Sequence, residues 1–517
     1  MFDIIIPTSA TPLDHWRSSI TENAMQYITA SMLYDLIACP HRVTMDQFGD
    51  PAERDETSPF VELLWERGTA FEHETMAALT QPYLNLSKYA GDEKERQTLD
   101  AMRRGEPLIY SARIRADDLL GDPDLLRREG DGYVPGDIKS GSGEEGPEDL
   151  SRPKLHYAVQ VALYTDVLER LGLSAGRRPF IWDIHGREVV YDLTALQGVK
   201  DPRSLWSDYQ GCLAEARQIV GRTIKTLPAY GGVCKECHWY TACQKRLEAA
   251  DDLTLLPGLG RSKRDVLVDR IPTVTALAQI SPSAFVMGKK TLFPRIGPDT
   301  LIKFHERAKL VKSPNPRPYL SQPVSLPVSN LEVFFDIEVD PMHDHTYLHG
   351  FIERRNGDNA TERYTAVFAE HLSPIEERDA FARAWGYLQA RPSAVIYFYS
   401  PYERTYWRKL RERYPDVCSE AQLESLFTPP RSVDLYTDVV RPATEWPTRD
   451  HSIKTLAKFL GFKWRDTHPS GAASIEWFAR WTETGDPTIR QRILDYNEDD
   501  CRATRVLLDG IRKLQSP

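Results

Sequence analysis

The sequence of 517 residues has no run of about 18 apolar residues, the length a helix needs to cross a bilayer, and no basic-then-apolar start. No membrane span or secretory leader is therefore expected, and the expected location is cytoplasmic. Excess positive charge is also lacking: 75 acidic residues outnumber 65 Lys and Arg, for a net charge of −10. Nucleic-acid affinity spread over the whole surface is excluded, so any such binding needs a local basic face. Cysteine is scarce, seven in all, and in a cytoplasmic chain these are thiols or metal ligands rather than a disulfide framework. What remains is ordinary for a globular chain, 41% hydrophobic and 27% charged, with length for about three domains and their cores.

The densest signal lies between Gly121 and Lys139. Leu125 and Leu126 belong to one short strand, Tyr133, Val134 and Ile138 to another, and Gly130-Asp131-Gly132 supplies the turn between them. Asp124 falls on the first strand and Asp137 on the second. Because side chains alternate along a strand, Asp137 and Lys139 share a face while Ile138 points to the core. Two carboxylates about 4 Å apart repel by about 4 kcal/mol at an effective dielectric of about 20. A divalent cation with a taste for hard oxygen ligands, Mg²⁺ or Mn²⁺, removes that conflict. Lys139 would then orient water or offset phosphate charge. Taken alone, the same residues suit an exposed hairpin with solvated charges.

The following stretch, residues 155–171, has apolar residues at helical spacing and sets Gln160 and Tyr164 four apart on one face. With Asp124, Asp137-x-Lys139 and Gln160-x-x-x-Tyr164 in order, residues 20–245 resemble the RecB-like branch of the PD-(D/E)XK nucleases. The resemblance implies a restriction-endonuclease-like fold and metal-dependent phosphodiester hydrolysis. Asp124 and Asp137 would be ligands, Lys139 the catalytic lysine, and Gln160 and Tyr164 positioning groups. The family often adds a Glu or His from an early helix. In the helix expected over residues 61–79, Glu72 lies on or beside the apolar stripe and is favoured by phase, with His73 as its competitor. An earlier helix is expected within residues 28–43, capped by Thr29 or Ser31 and stopped near Pro40.

Downstream, residues 181–193 suggest a hairpin and residues 202–224 a helix. Cys234, Cys237 and Cys243 follow, with Cys39 far upstream. The three form a zinc ligand set if His238 or Cys39 completes it. One cysteine before a RecB-like core and three after it resembles the iron–sulfur RecB-like nucleases, which implies a 4Fe–4S cluster clasping the two ends of the domain.

Residues 251–313 change character, with a net charge of +5 in an acidic chain. Leu256-Pro257-Gly258-Leu259-Gly260 separates two short helices, and a weaker copy, Arg295-Ile296-Gly297-Pro298, precedes another. These resemble helix-hairpin-helix elements, so a small all-α module is expected. Gly258, Gly260, Arg261 and Lys263 would there meet a DNA backbone through exposed amides and charge. The alternative is a purely structural helical module. Residues 314–330 are proline-rich and are expected to form an extended linker.

A strand then opens at Leu331-Glu-Val-Phe-Phe-Asp-Ile-Glu, placing Asp336 and Glu338 on one face. Tyr496 and Asp500 stand four apart on a late helix. With Tyr402-Glu403 between, residues 331–511 resemble the RNase H-like DEDD exonucleases, whose motifs are DxE, a Phe-Asp and YxxxD. That implies metal ligation by Asp336, Glu338, Glu403 and Asp500, with Tyr496 orienting water. Glu403 departs from the usual Asp, and Asp434 is a further carboxylate or a cap. The expected protein is an α/β multidomain metal-dependent nuclease in repair, recombination or defence. Its expected domains are residues 1–250, 251–313 and 331–517, with Mg²⁺ or Mn²⁺ and a 4Fe–4S cluster as cofactors. Nucleic acid, DNA before RNA, is the expected partner, with a helicase partner left open and no membrane. The rivals are an RNA-processing nuclease and a binding scaffold with an inactive C-terminal fold.

Overall fold

The computed structural model describes residues 27–146, 151–198 and 202–516. They divide into two units, one of residues 27–228 and 232–243, the other of residues 229–231 and 244–516.

In the first unit, six strands run in the order Glu188–Val190, Phe180–Trp182, Gly132–Ile138, Leu125–Glu129, Leu108–Tyr110, Leu84–Asn85. The hairpin read from residues 121–139 is at its centre. Leu125 pairs with Gly136 and Glu129 with Gly132, antiparallel, around Gly130 at φ +60°. Phe180–Trp182 joins the other edge in parallel, with Ile181 opposite Asp137, and pairs back with Glu188–Val190 as the expected second hairpin. Flanked on both sides, all seven residues of Gly132–Ile138 are buried, so that strand shows no solvated face. The helix Leu155–Arg170 packs against this sheet and against the helices Ala30–Ala38 and Leu205–Val220. Every residue from His156 to Leu168 is buried, which makes it the central helix of the unit. Thr29 caps the helix Ala30–Ala38, its side chain accepting from the Met32 amide at 3.2 Å. That helix stops at Ala38, just before Pro40, as expected, but Pro40 does more than end it. It opens a second one, Pro40–Phe48, at a first-turn position where its missing N–H costs nothing.

In the second unit, five strands run in the order Asp358–Phe368, His345–Arg355, Leu331–Asp340, Val395–Phe398, Ser432–Asp434. The first three form an antiparallel meander; the last two add in parallel. The period-2 rule sorts the central strand. Val333, Phe335, Ile337 and Val339 enter one apolar cluster with Phe381, Trp385 and Trp407. Phe334 joins a separate cluster with Leu507 and Leu508 of the long helix Pro487–Ile511. Asp336 and Glu338 thereby face that helix, which also packs on the strand. Arg354, buried, fastens the helix by bridging Glu332 on the strand and Asp509.

The same unit contains residues 251–313, with their own apolar core from Leu253 to Ala308. The two glycine turns repeat each other closely. Gly258 and Arg295 both take positive φ (77° and 63°), Leu259 and Ile296 are both buried, and Gly260 and Gly297 both cap helices, Arg261–Leu267 and Pro298–Lys312. The module is not all-α: Val286–Met287 pairs with Lys290–Thr291 around Gly288, whose φ of +62° a tight turn requires. The proline-rich stretch is extended as expected, yet not a free tether, since Tyr319–Leu320 pairs antiparallel with Thr444–Glu445. Arg307 is buried between the module and the sheet domain. It donates to both Glu445 carboxylate oxygens, at 2.7 and 3.3 Å, and to the Pro257 carbonyl of the first turn at 2.6 Å.

Candidate active sites

Asp137 lies near the end of the central strand of the first unit, and Lys139 follows the strand. Their side chains meet, Lys139 Nζ standing 2.8 Å from Asp137 Oδ2 with both almost wholly buried. Asp124 stands just before its strand rather than within it, and is latched to the neighbour. Its Oδ2 accepts from the Ile138 amide at 2.8 Å, and its own amide donates to Asp137 Oδ1 at 3.3 Å. Burial, then Asp137 and Glu72, pushes the Asp124 carboxyl well above the usual carboxylate range against the pull of Lys139. Burial works to lower Lys139, but Asp137 and Asp124 outweigh it and hold the ammonium charged. Glu72, half-buried, faces Asp124 and the Tyr110 hydroxyl, which it raises after burial has done so. His73, one residue on, is exposed. Of the two competitors, Glu72 is therefore the one beside Asp124.

Tyr164 lies flat on Gly121, where a Cβ would come within 2.5 Å of its ring, and its hydroxyl donates to the Asp122 carbonyl at 3.4 Å. Burial, then Asp137 and Asp124, pushes its phenol up, which places it in the field of both carboxylates. Gln160 is buried one turn earlier on the same helix. Lys94 escaped the sequence reading. Its Nζ donates to Ser111 Oγ at 2.7 Å, within the field of Asp122, Asp124 and Glu72. It sits on a polar helix, Gly91–Arg104, with no motif to mark it.

In the second unit, single oxygens from Asp336, Glu338 and Asp500 lie within 4.8 Å of one another. Among the described residues no other three His, Cys, Asp or Glu donors cluster so tightly, so Glu72, Asp124 and Asp137 stand wider. Burial, then Asp500, pushes the Glu338 carboxyl up to about 8, with Lys454, Ser474 and Asn497 opposing. Asp336 is raised well above its usual range by burial, then by Asp500, Glu338 and Glu403. Neutral donors fix the acids: Asn497 Nδ2 to Asp336 Oδ2 at 2.7 Å and Trp464 Nε1 to Asp500 Oδ1 at 2.6 Å. Asn497 is itself oriented by the Tyr364 hydroxyl at 2.9 Å and packs where Gly350 leaves no side chain.

Glu403 is buried on the helix Tyr402–Arg413 and stands outside the tight set, although its charge is felt by Asp336. Its Oε2 has no hydrogen-bond partner among the described residues. Asp434 is a cap: one oxygen accepts from the amides of Ser400, Tyr436 and Thr437 at 2.9 to 3.0 Å. Tyr496 is buried beside Asp500, and Lys454 Nζ donates to its hydroxyl at 2.7 Å and to Asp500 Oδ2 at 3.2 Å. Asn497, which follows Tyr496 but points about 100° away around the helix, escaped the sequence reading, as did Lys454, Trp464 and Ser474.

Residues 40–244 match a family model of the PD-(D/E)XK nuclease superfamily, PDDEXK_1, and residues 333–511 match one of the RNase H superfamily, RNase_H_2. The chain carries two nuclease-superfamily domains. Together they support a metal-dependent nuclease acting on nucleic acid. No curated protein matches the chain. No helix among the described residues is long and apolar enough to cross a membrane.

In the PD-(D/E)XK domain Cys39, Cys234 and Cys237 come together beside the helix Pro40–Phe48. Cys39 is its N-cap, and burial, with Cys234 and Cys39 adding, pushes the Cys237 thiol up to about 11. The segment carrying Cys234, Cys237 and Cys243 is stitched to that helix through Asp46. The carboxylate accepts from Trp239 Nε1 at 2.7 Å and lies 2.6 Å from His238 Nε2. No cysteine forms a disulfide among the described residues. Beside the RNase H-like domain, Lys263 does not project outward: its Nζ donates back to the Gly258 carbonyl at 2.9 Å. Gly260 faces open space, with nothing a Cβ there would meet, and Arg261 is half-buried.

Proposed function

We propose that the chain is a two-site deoxyribonuclease, with hydrolytic centres at Asp124/Asp137/Lys139 and at Asp336/Glu338/Asp500. The observation that carries the proposal is the carboxylate trio of the RNase H-like domain, with Glu338 and Asp500 buried and Asp336 half-buried. Three acids within 4.8 Å, with the Glu403 oxygen beside them unpartnered, are a donor set of hard oxygens in need of a cation. Glu72, Asp124 and Asp137 form the corresponding wider set in the PD-(D/E)XK domain. The chemistry a divalent ion supplies at such sets is Lewis-acid stabilisation of phosphoryl charge and a nucleophile at neutral pH.

The chain's own groups supply the rest. Lys139, held charged by two aspartates, stands ready beside the charge that builds on a phosphate. Tyr164 and Gln160 hold the helix against the catalytic strands. Tyr496 places a hydroxyl beside Asp500, and Asn497 and Trp464 keep the acids from reorienting. The paired glycine turns, open at Gly260 and Gly297, suit sequence-independent contact with a phosphate backbone. Repair, recombination or defence is the setting such an enzyme serves.

The four cysteines suit a 4Fe–4S cluster. One cysteine before the nuclease core and three after it carry this reading, and Cys39 and Cys234 lie close enough to Cys237 to raise its thiol. Protein purified without oxygen should be brown, and Cys237→Ser should bleach it; colourless protein with one equivalent of zinc would reverse this assignment.

The nuclease reading is tested by incubating end-labelled single- and double-stranded DNA and RNA with the full chain in Mg²⁺ or Mn²⁺. Asp137→Asn, Asp336→Asn and the double variant are assayed alongside. Each single variant should lose part of the DNA cleavage and the double variant all of it. Undiminished cleavage by the double variant would overturn the assignment, and cleavage of RNA alone would move the substrate.

A further inference from the structure

Lys454 stands in the acid cluster of the RNase H-like domain without any motif to announce it. It occupies the first turn of the helix Ile453–Phe459, where the helix dipole disfavours a cation. Helix preference therefore does not explain its place. The acids do: its ammonium is 3.2 Å from Asp500 Oδ2 and 2.7 Å from the Tyr496 hydroxyl. Asp336, Glu338 and Asp500 bring three carboxyls to one point, Glu403 adds a fourth charge to their field, and Lys454 is the cation that opposes it. Asn497, Trp464, Ser474 and Tyr496, which also touch the trio, are neutral donors.

We propose that Lys454 is a positioning residue that sets both the metal affinity and the tyrosine geometry of this site. Its charge competes with a divalent ion for Asp500, so the cluster binds the ion more weakly than its carboxyl count alone would give. By donating to the Tyr496 oxygen, it also turns the phenolic proton toward Asp500, to which Tyr496 is hydrogen-bonded. A four-methylene stem lets the ammonium leave Asp500 without moving the helix and keep its hold on Tyr496. The proposal rests on the reading of the trio as a divalent-metal site.

The test uses the full chain with Asp124→Asn and Asp137→Asn, so that the RNase H-like site alone can hold catalytic metal. Mn²⁺ affinity is measured by titration calorimetry, and DNA cleavage is measured at saturating Mn²⁺. Lys454→Met should tighten Mn²⁺ binding at least tenfold and lower kcat at least tenfold, with KM for DNA moving less than threefold. Lys454→Arg should stay within threefold of the parent in both. A lysine that only props the fold would lower the melting temperature and leave Mn²⁺ affinity alone. Unchanged or weaker Mn²⁺ binding in Lys454→Met, or an unchanged kcat, overturns the proposal. Asp336→Asn is the control for the underlying reading: if it leaves Mn²⁺ binding intact, the trio is not the metal site and both fall. A parent that binds Mn²⁺ at the trio yet cleaves nothing defeats only the nuclease reading, and the affinity shift still decides Lys454.

Discussion

Asp336→Asn should make the metal-free protein more stable at pH 8 and, at the same time, remove the response of the RNase H-like domain to metal. Two unit charges 4.8 Å apart repel by about 3.5 kcal/mol at an effective dielectric of about 20, and Asp336 faces both Glu338 and Asp500 within that distance. Lys454 offsets part of this. The fold avoids more of it by keeping protons, since Glu338 is pushed up to about 8 and Asp336 is raised well above its usual range. A carboxyl raised in the folded state binds more protons there than in the unfolded chain. Stability is then fully present below the usual carboxylate range and is lost as pH rises toward about 8. An asparagine keeps the bond from Asn497, because its amide oxygen replaces the carboxylate oxygen, and it removes one charge. The net gain should be about 1–2 kcal/mol at pH 8, allowing for retained protons and Lys454, or roughly 3–6 °C for a domain of this size. Near pH 4 the gain should vanish. Calorimetry of the full chain in chelator at both pH values, repeated with Mg²⁺ and Mn²⁺, reads all of this. A variant less stable than the parent at pH 8 without metal would refute the idea that these acids are in conflict.

Other sites give independent checks. Arg307→Met strands Glu445 in a buried position and should cost about 3 kcal/mol, the low end for a broken buried pair, because Lys303 remains 3.5 Å away. Denaturant unfolding measures it, and adding Glu445→Leu should restore most of the loss. Gly121→Ala drives a methyl to 2.5 Å from the Tyr164 ring and should cost about 1–3 kcal/mol by overpacking, visible as a lower melting temperature of the PD-(D/E)XK domain. Arg261→Ala should reduce the slope of log affinity against log salt for DNA by about one. Lys263→Ala should change that slope less, since its ammonium is held by the Gly258 carbonyl.

Local spacing was enough for much of this protein. Period-2 alternation put Asp336 with Glu338 and Asp137 with Lys139, and a four-residue helical step put Tyr496 over Asp500 and Gln160 below Tyr164. The structure keeps each pair on one face because those periods are properties of the backbone itself. The glycine turn at residue 258 was legible for the same reason, since only a left-handed residue closes it. Its twin was only half visible, because Arg295 takes that conformation without being glycine. What no local pattern could decide is which distant groups converge. Phase already favoured Glu72 over His73, but that it comes beside Asp124 is a matter of tertiary packing. Lys454, Trp464 and Lys94 belong to no motif and reach their acids only when separate elements fold together. Asp434 read as a further carboxylate or a cap, and backbone amides use it as a cap. The stop near Pro40 was legible, but the second helix that Pro40 opens was not. Sequence determines which residues share an element's face; burial and long-range charge, which exist only in the assembled fold, decide which of them become a site.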